Sequence, residues 1–269
     1  MKIVSLLALF IMLTGCATEP RIDKSFSSRS QSDRIKFIII HYTFGDQPSS
    51  LETLTQADVS AHYLLTNSEK PFFYQLVDES RQANHAGLSS WKIYNQLNAA
   101  SIGIEVVNLG YVETSEGRAW YPYPQAQIDQ LILLLKQLVA RHNIKPENIL
   151  GHSDVAPQRK QDPGPMFPWK QLAYAGLIPW PDQSRVSALI PQYQLQLPDI
   201  AWFQKKLSQH GYAVPQTGVL DKETQNVIVV FQSKYRQSLF NGIPDAETAA
   251  ILDVLTSSEQ TAPRMPLAQ

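Results

Sequence analysis

Residues 37–43 read FIIIHYT and have the composition of a buried β-strand. The apolar run FIII has the length of a strand, and its isoleucines are β-branched, as is typical of strands covered on both faces. The run ends at His41, so the strand would deliver a histidine to its carboxyl end. The pattern predicts a strand over 35–43 that leads into a polar site.

Four other segments predict further parts of the same domain. Residues 101–108 alternate in the manner of a strand, which makes Glu105 project from a sheet. Residues 149–152 predict a further short strand, and 153–168 predicts a loop with four prolines. Residues 125–142 carry apolar side chains at helical spacing. Strands interspersed with helices predict a mixed α/β domain with a central β-sheet flanked by helices.

The C-terminal part of the chain contains a repeat. Residues 218–224 read GVLDKET, and the pattern returns at 242–248 as GIPDAET, each copy followed by apolar residues at helical spacing. After each glycine turn, Asp221 and Asp245 can cap the N-terminus of a helix. The repeat predicts a small all-α helical-bundle domain over 199–256.

The N-terminus has the features of a secretion signal. An apolar stretch over 3–13 follows Lys2 and is too short to span a bilayer as a helix, which needs about 20 residues. It leads to Cys16, the only cysteine, in a sequence LTGC that resembles a bacterial lipoprotein signal, in which the cysteine is lipidated. Ala17 follows where an aspartate would suggest retention at the inner membrane. The resemblance therefore implies an outer-membrane lipoprotein that faces the periplasm.

These patterns divide the chain into segments. Residues 18–34 are polar and serine-rich, and the prolines within 178–198 are expected to break any long helix. The predicted segments are a lipoprotein signal peptide (1–15), a lipid-anchored flexible tether (16–34), an α/β domain (35–182), a linker (183–198), the helical domain (199–256) and a flexible tail (257–269).

The charge balance argues against one class of partner. The chain has 23 lysines and arginines against 24 acidic residues, a formal net charge of −1. There is no excess of positive charge to neutralise phosphates, so no nucleic-acid partner is expected.

Histidines and carboxylates are the candidates for chemistry. The sequence has no Gly-x-Ser-x-Gly turn, no His-Glu-x-x-His helix and, with Cys16 lipidated, no free cysteine to serve as a nucleophile. Of six histidines, only His41 and His152 follow strand-like runs and precede polar loops. With Asp162 they make a set that can hold zinc with an open fourth position, although each histidine alone would more often be structural. Asp154 could orient His152 or simply cap its loop.

Five stretches occur in an order and spacing that resemble a known family over about residues 34–182. They are FIIIHYT (37–43), SAHYL (60–64), HAG (85–87), SIGIE (101–105) and GHSDVAPQRKQDPGP (151–165), of which the last is the most specific. Together they resemble the zinc-dependent N-acetylmuramoyl-L-alanine amidases of type 2. The C-terminal repeat resembles a peptidoglycan-binding helical domain.

The resemblance implies a fold, a reaction and a set of site residues. The fold is that of type 2 amidases, and the reaction is hydrolysis of the amide bond between N-acetylmuramic acid and L-alanine in peptidoglycan or muropeptides, for cell-wall turnover. One Zn²⁺ per chain is the implied cofactor, and the partners are peptidoglycan and muropeptides, with the outer membrane reached through lipidated Cys16. The implied residues are His41, His152 and Asp162 as zinc ligands and Glu105 and Lys160 as catalytic residues. Apart from the resemblance, His85 is a candidate substrate-binding residue or an anchor of its loop.

Two other functions remain open at this point. The first is a protein of the same fold that recognises peptidoglycan without cutting it, and the second is a lipoprotein that tethers the outer membrane to the wall through 199–256. The complete set of ligand and catalytic candidates favours the enzyme over both. A zinc assay combined with a turnover measurement distinguishes them.

Overall fold

The computed structural model describes residues 19–257. The predicted signal peptide, Cys16 and residues 258–269 of the predicted tail lie outside this range. Residues 19–32 are exposed and have no helix or strand, and they belong to a separate unit from the chain that begins at Asp33. Within 19–257, no helix combines the length and the apolar character needed to cross a membrane.

The chain from Asp33 onward contains nine strands and eight α-helices among the described residues. The strands are β1 (Phe37–Tyr42), β2 (Tyr63–Leu65), β3 (Phe73–Gln75), β4 (Ser90–Trp91), β5 (Tyr94–Asn95), β6 (Ser101–Val106), β7 (Tyr111–Thr114), β8 (Gly117–Trp120) and β9 (Ile149–Gly151). The helices are α1 (Gln47–Gln56), α2 (Gln125–His142), α3 (His152–Val155), α4 (Trp169–Tyr174), α5 (Gln183–Leu195), α6 (Ile200–His210), α7 (Lys222–Tyr235) and α8 (Ala246–Thr256).

A five-stranded sheet with the order β3-β2-β6-β1-β9 forms the centre of the fold. Strand β1 runs parallel to both β6 and β9, and β3 is antiparallel to β2. Ile38 and Ile40 of β1 pack in one buried cluster with the apolar face of α2, whereas Phe37 and Ile39 belong to a cluster on the opposite face. The predicted mixed α/β fold is confirmed, and β1 is buried on both faces as its composition indicates.

The C-terminal helices share a core with this sheet. Phe203 of α6 and Phe231 of α7 lie in the same buried cluster as Phe37 and Ile39 of β1. The helical region is therefore packed against the sheet, and from Asp33 onward the chain forms one compact unit.

Two local expectations are wrong. The predicted linker contains the helix α5, with Pro191 inside it. A proline within a helix removes one backbone hydrogen bond, but burial of Val186 and Tyr193 on this helix offsets that cost. The predicted strand over 149–152 ends one residue earlier, at Gly151. His152 begins the one-turn helix α3 and does not lead directly into a loop.

The sequence repeat corresponds to a structural repeat around two buried glutamines. Gln204 donates to the carbonyl of Val219 and the hydroxyl of Thr224 and accepts from the amide of Gly218. Gln232 makes the same three kinds of bond one repeat later, to Ile243, Thr248 and Gly242. Each glutamine thus joins a glycine turn to the first turn of the following helix.

The aspartates of the repeat cap these helices as the sequence predicts. The side chain of Asp221 accepts from the amide of Thr224, and that of Asp245 accepts from the amide of Thr248. An Asp221→Ala variant should lose about 1 kcal/mol of unfolding free energy, because an amide of the first turn of α7 loses its acceptor. Urea unfolding measures this loss. The exposed Asp58→Ala is the control, and an equal loss in both variants would contradict the capping role.

Candidate metal centre

The candidate site lies at the carboxyl ends of three neighbouring parallel strands. His41 is near the end of β1 and is paired in register with Glu105 of β6, while His152 follows directly after β9. The remaining candidate ligand, Asp162, joins them because its carbonyl accepts from the amide of Ser153 at 2.9 Å. The sheet therefore brings together residues that are far apart in the sequence.

Three potential ligand atoms converge at this edge of the sheet. Nδ1 of His41 lies 2.9 Å from Nδ1 of His152 and 3.1 Å from Oδ2 of Asp162. The distance between Nδ1 of His152 and Oδ2 of Asp162 is 3.0 Å. All three residues are buried. Ligands of a tetrahedral zinc with bonds of about 2.0 Å lie about 3.3 Å apart, so the triangle is close to the size that zinc requires.

Hydrogen bonds orient the ring of His152. Its Nε2 lies 3.1 Å from the carbonyl oxygen of Ala86, which can only accept, so Nε2 carries the proton. In the tautomer with its proton on Nε2, the lone pair of Nδ1 is directed at the centre of the triangle. A carbonyl or carboxylate behind a ligating histidine is the usual means of fixing its tautomer.

A chain of hydrogen bonds orients His41 in the same way. The hydroxyl of Ser101 donates to the carbonyl of Leu97 at 2.6 Å, so Ser101 Oγ accepts from Nε2 of His85 at 3.1 Å. Nδ1 of a neutral His85 is therefore unprotonated and accepts from Nε2 of His41 at 3.0 Å. As a result, Nδ1 of His41 also presents a lone pair to the triangle.

The charge states complete a donor set for a cation. Burial lowers the pKa of His41 to about 4, and His152 beside it acts in the same direction, so His41 is neutral at pH 7. Burial alone would raise the pKa of Asp162, but its interactions with His152 and His41 outweigh burial and hold that pKa below its usual range. Two imidazole nitrogens and a carboxylate oxygen that converge in this way suit a divalent metal such as zinc.

Glu105 extends into the same site from β6. Its Oε1 lies 4.0 Å from Nδ1 of His41, and its Oε2 is buried without a hydrogen-bond partner among residues 19–257. Burial raises the pKa of Glu105 well above the usual value, and the charge of Asp162 adds to the effect while Lys160 opposes it. A buried carboxyl group with an unused oxygen is suited to taking up and releasing a proton.

The six candidate ligand, catalytic and substrate-binding residues from the sequence all line one cavity of about 400 Å³. They are His41, His85, Glu105, His152, Lys160 and Asp162. Phe44 and Tyr111 form part of an aromatic wall of the same cavity, with ring centroids 5.2 Å apart. The cavity is thus large enough for part of a substrate and has the donor set on one side.

His85 has no ring nitrogen free to bind a substrate. Both of its ring nitrogens are bonded within the protein, to His41 and Ser101. Its ring lies flat against Gly103, where a Cβ would come within 2.4 Å of the ring. The space left by this glycine allows His85 to reach His41, so the geometry favours support of a ligand over direct binding of substrate.

Other parts of the site had no signal in the sequence. The carbonyls of Ala86 and Leu97 are main-chain groups, which every residue has. Ser101 is one of many serines, and nothing in the sequence distinguishes its hydroxyl from the others. Asp154, whose role the sequence left open, accepts from the amide of Gly151 at 2.8 Å and thereby holds the turn that carries His152.

Comparison with known proteins identifies two families along the chain. The family described as N-acetylmuramoyl-L-alanine amidase matches residues 31–165, and a family described as a peptidoglycan binding domain matches residues 196–252. Among curated proteins, the chain is 41% identical to N-acetylmuramoyl-L-alanine amidase AmiD of Escherichia coli K12 over 264 residues, which cover 93% of this chain and 95% of AmiD.

Two solved structures resemble this one over nearly their whole length. One is E. coli AmiD in complex with the substrate anhydro-N-acetylmuramic acid-L-Ala-D-gamma-Glu-L-Lys, with 42% identity, a TM-score of 0.80 and coverage of 87% of this chain and 93% of AmiD. The other is AmpDh3 from Pseudomonas aeruginosa in complex with anhydromuramic pentapeptide, with 34% identity, a TM-score of 0.81 and coverage of 87% and 96%.

Proposed function

The chain belongs to the N-acetylmuramoyl-L-alanine amidase family, and on that premise we propose that His41, His152 and Asp162 hold a zinc ion at its active site. The enzyme hydrolyses the amide bond between N-acetylmuramic acid and L-alanine in peptidoglycan or muropeptides. The observation that carries the zinc proposal is the convergence of three potential ligand atoms within 3.1 Å of one another.

The protein residues around the ligands divide the remaining work. Zinc bound there would polarise the substrate carbonyl and lower the pKa of a water molecule to about 7. Oε2 of Glu105, which has no partner in residues 19–257, is placed to accept the proton of the attacking water. Its raised pKa suits the return of that proton to the nitrogen of the leaving L-alanine.

Lys160 supplies a positive charge to the same cavity. It lines the same cavity as Glu105 and Asp162 and lowers the pKa of Glu105 through its charge. An ammonium group at this position would stabilise the negative charge that develops on the carbonyl oxygen of the substrate. His85 contributes indirectly, because its bond to Nε2 of His41 keeps the ligand atom of that histidine unprotonated.

The substrates of the relatives suggest which substrates this enzyme accepts. Both complexes contain a muropeptide with an anhydro sugar, one with a tripeptide stem and the other with a pentapeptide. We expect this enzyme to cleave anhydro-muropeptides, and the C-terminal helices to bind peptidoglycan, since residues 196–252 match a family of that description.

A direct test uses a purified anhydro-muropeptide and mass spectrometry. The zinc-loaded full chain should release the anhydro sugar and a peptide with a free N-terminal L-alanine. A chelator should abolish this cleavage and added zinc should restore it, because two histidines and an aspartate remain without a Lewis acid. Undiminished cleavage by protein that contains no metal would contradict the zinc proposal.

The N-terminus supports a proposal for location. Cys16 in the sequence LTGC is proposed to carry lipid and to anchor the enzyme in the outer membrane, facing the periplasm. Anchoring by several acyl chains is firm, whereas a single chain holds only marginally.

A Cys16→Ser variant should remain unprocessed by the lipoprotein route and carry no lipid, because serine has no thiol to acylate. Labelling with a radioactive fatty acid and fractionation of membranes measure both effects. Ser5→Ala, in the same signal, is the control and should be lipidated normally. Lipid on the Cys16→Ser protein would show that another residue is the anchor.

A further inference from the structure

The helix that carries His152 is too short to hold its own position. Helix α3 has a single turn, and one turn forms too few hydrogen bonds to be stable alone. Two bonds fix it: Asp154 accepts from the amide of Gly151, and the amide of Ser153 donates to the carbonyl of Asp162. Movement of Asp154 would therefore displace both His152 and the segment that carries Asp162.

The other partners of Asp154 come from the C-terminal part of the chain, Lys234 from α7 and Tyr212 from the segment between α6 and α7. Nζ of Lys234, on α7, lies 2.6 Å from Oδ2 of Asp154, and the hydroxyl of Tyr212 donates to Oδ1 at 2.6 Å. The side chains of Asp154 and Lys234 are only 2% and 5% exposed. Asp154 is thus a buried carboxylate that is neutralised by a charge from outside the α/β part of the chain.

Lys234 also contacts the α/β part at a second point. Its Nζ lies 4.2 Å from the centroid of the Trp169 ring, a distance typical of a cation–π interaction. Trp169 in turn packs at Gly151, where a Cβ would be 3.1 Å from the indole. The ammonium group of Lys234 therefore contacts both Asp154 and Trp169, and these two side chains flank Gly151, the residue before His152.

Burial makes this ion pair sensitive to the loss of either partner. A buried charge without its partner is costly, so an unpaired Asp154 would move toward water. Its bond to the amide of Gly151 would then weaken. Other bonds dock α7 on the same surface, since Gln158 bonds to the carbonyl of Glu223 and to the side chain of Asn226.

We propose that Lys234 is a positioning residue for the metal centre and that, acting through Asp154, the C-terminal helices hold His152 in place for zinc. The proposal rests on the proposed function, because it takes His152 as a zinc ligand. It gives the C-terminal helices a role in the chemistry of the α/β part, in addition to any binding of peptidoglycan.

A second cluster of the same composition provides matched controls. Asp253 on α8 is bonded by Nζ of Lys206 at 2.6 Å and by the hydroxyl of Tyr193 at 2.9 Å. Lys206 precedes Lys234 by one structural repeat, but its cluster lies wholly within the C-terminal helices. Loss of Lys206 or Tyr193 therefore tests general destabilisation without any effect on α3.

The first comparison is Lys234→Met against Lys206→Met in the full chain. Competition with a chromogenic chelator should show the dissociation constant for zinc raised by about tenfold or more in Lys234→Met, as is usual when a group behind a ligand is lost. It should change less than about twofold in Lys206→Met. In protein loaded with cobalt(II), whose visible absorption depends on ligand geometry, the spectrum should shift only for Lys234→Met.

A milder pair keeps the test valid if Lys234→Met does not fold. Tyr212→Phe removes only the hydroxyl that bonds to Asp154 and retains the ring, and Tyr193→Phe does the same at Asp253. Tyr212→Phe should weaken zinc binding by about threefold, with no change in Tyr193→Phe.

The outcomes separate the two proposals. An unmodified protein that binds no zinc would refute the proposed metal site itself. The role of Lys234 would be overturned, and the metal site kept, by a different result. In that case the unmodified protein binds zinc tightly, while Lys234→Met and Tyr212→Phe have the same dissociation constants and cobalt spectra as their controls. If Lys234→Met is unfolded, the Tyr212→Phe comparison by itself decides the matter.

Discussion

Asp162→Ala should lose both its zinc and its amidase activity. The variant retains two of the three proposed protein ligands and loses the only one that is negatively charged, so the dissociation constant for zinc should rise more than about a hundredfold. Cleavage of an anhydro-muropeptide at a zinc concentration that saturates the unmodified enzyme should fall by a similar factor. Metal analysis after dialysis and a turnover assay measure the two effects.

The control for Asp162 is Asp182→Ala. Asp182 caps α5 by accepting from the amides of Ser184 and Arg185, and it lies outside the cavity. This variant should lose some stability but keep one zinc per chain and normal turnover. Zinc bound by Asp162→Ala in the same amount and with the same affinity would exclude Asp162 as a ligand.

Glu105→Gln should keep its zinc and lose most of its turnover. Glutamine has nearly the same shape but cannot accept a proton, so kcat should fall by about 10²- to 10⁴-fold, the usual contribution of a general base. KM and zinc content should change little, because Glu105 is not among the three converging donors. The combination of retained metal and lost kcat distinguishes this result from that of Asp162→Ala.

The control for Glu105 is Glu113→Gln. Glu113 also lies on a strand, but it is exposed and paired with Arg118 at 2.9 Å, and it does not line the cavity. Its replacement should leave kcat unchanged. If Glu105→Gln turned over substrate at the normal rate, the proton would have to be accepted by another group, and the role given to Glu105 would be wrong.

Local patterns predicted the regular elements well where the signal was contained in a few neighbouring residues. Helix α2 occupies residues 125–142 as its apolar spacing indicates, and Asp221 and Asp245 are caps. The same kind of reasoning failed for α5, because the cost of Pro191 is local whereas the burial of Val186 and Tyr193 that offsets it depends on the rest of the fold.

The candidate site was predicted as a set of residues but not as an arrangement. The family resemblance implied His41, Glu105, His152, Lys160 and Asp162, and the structure brings all five to one cavity. No pattern in the sequence indicated which nitrogen of each histidine faces the metal. That depends on the carbonyls of Ala86 and Leu97, which are main-chain atoms and therefore carry no signature in residue type.

The sequence by itself thus determined three strands of the central sheet (β1, β6 and β9), helix α2, the capped helices α7 and α8 and the identity of the residues available for chemistry, because side-chain type and spacing act over a few residues. Only the tertiary structure decided how those residues are held. His41 and His152 are 111 positions apart, and Lys234 and Asp154 are 80 apart. Contacts over such separations exist only after the sheet has formed and the C-terminal helices have packed against it. Burial then removes water as an alternative partner, so each buried ion pair and each histidine tautomer depends on the one protein group that remains in contact with it.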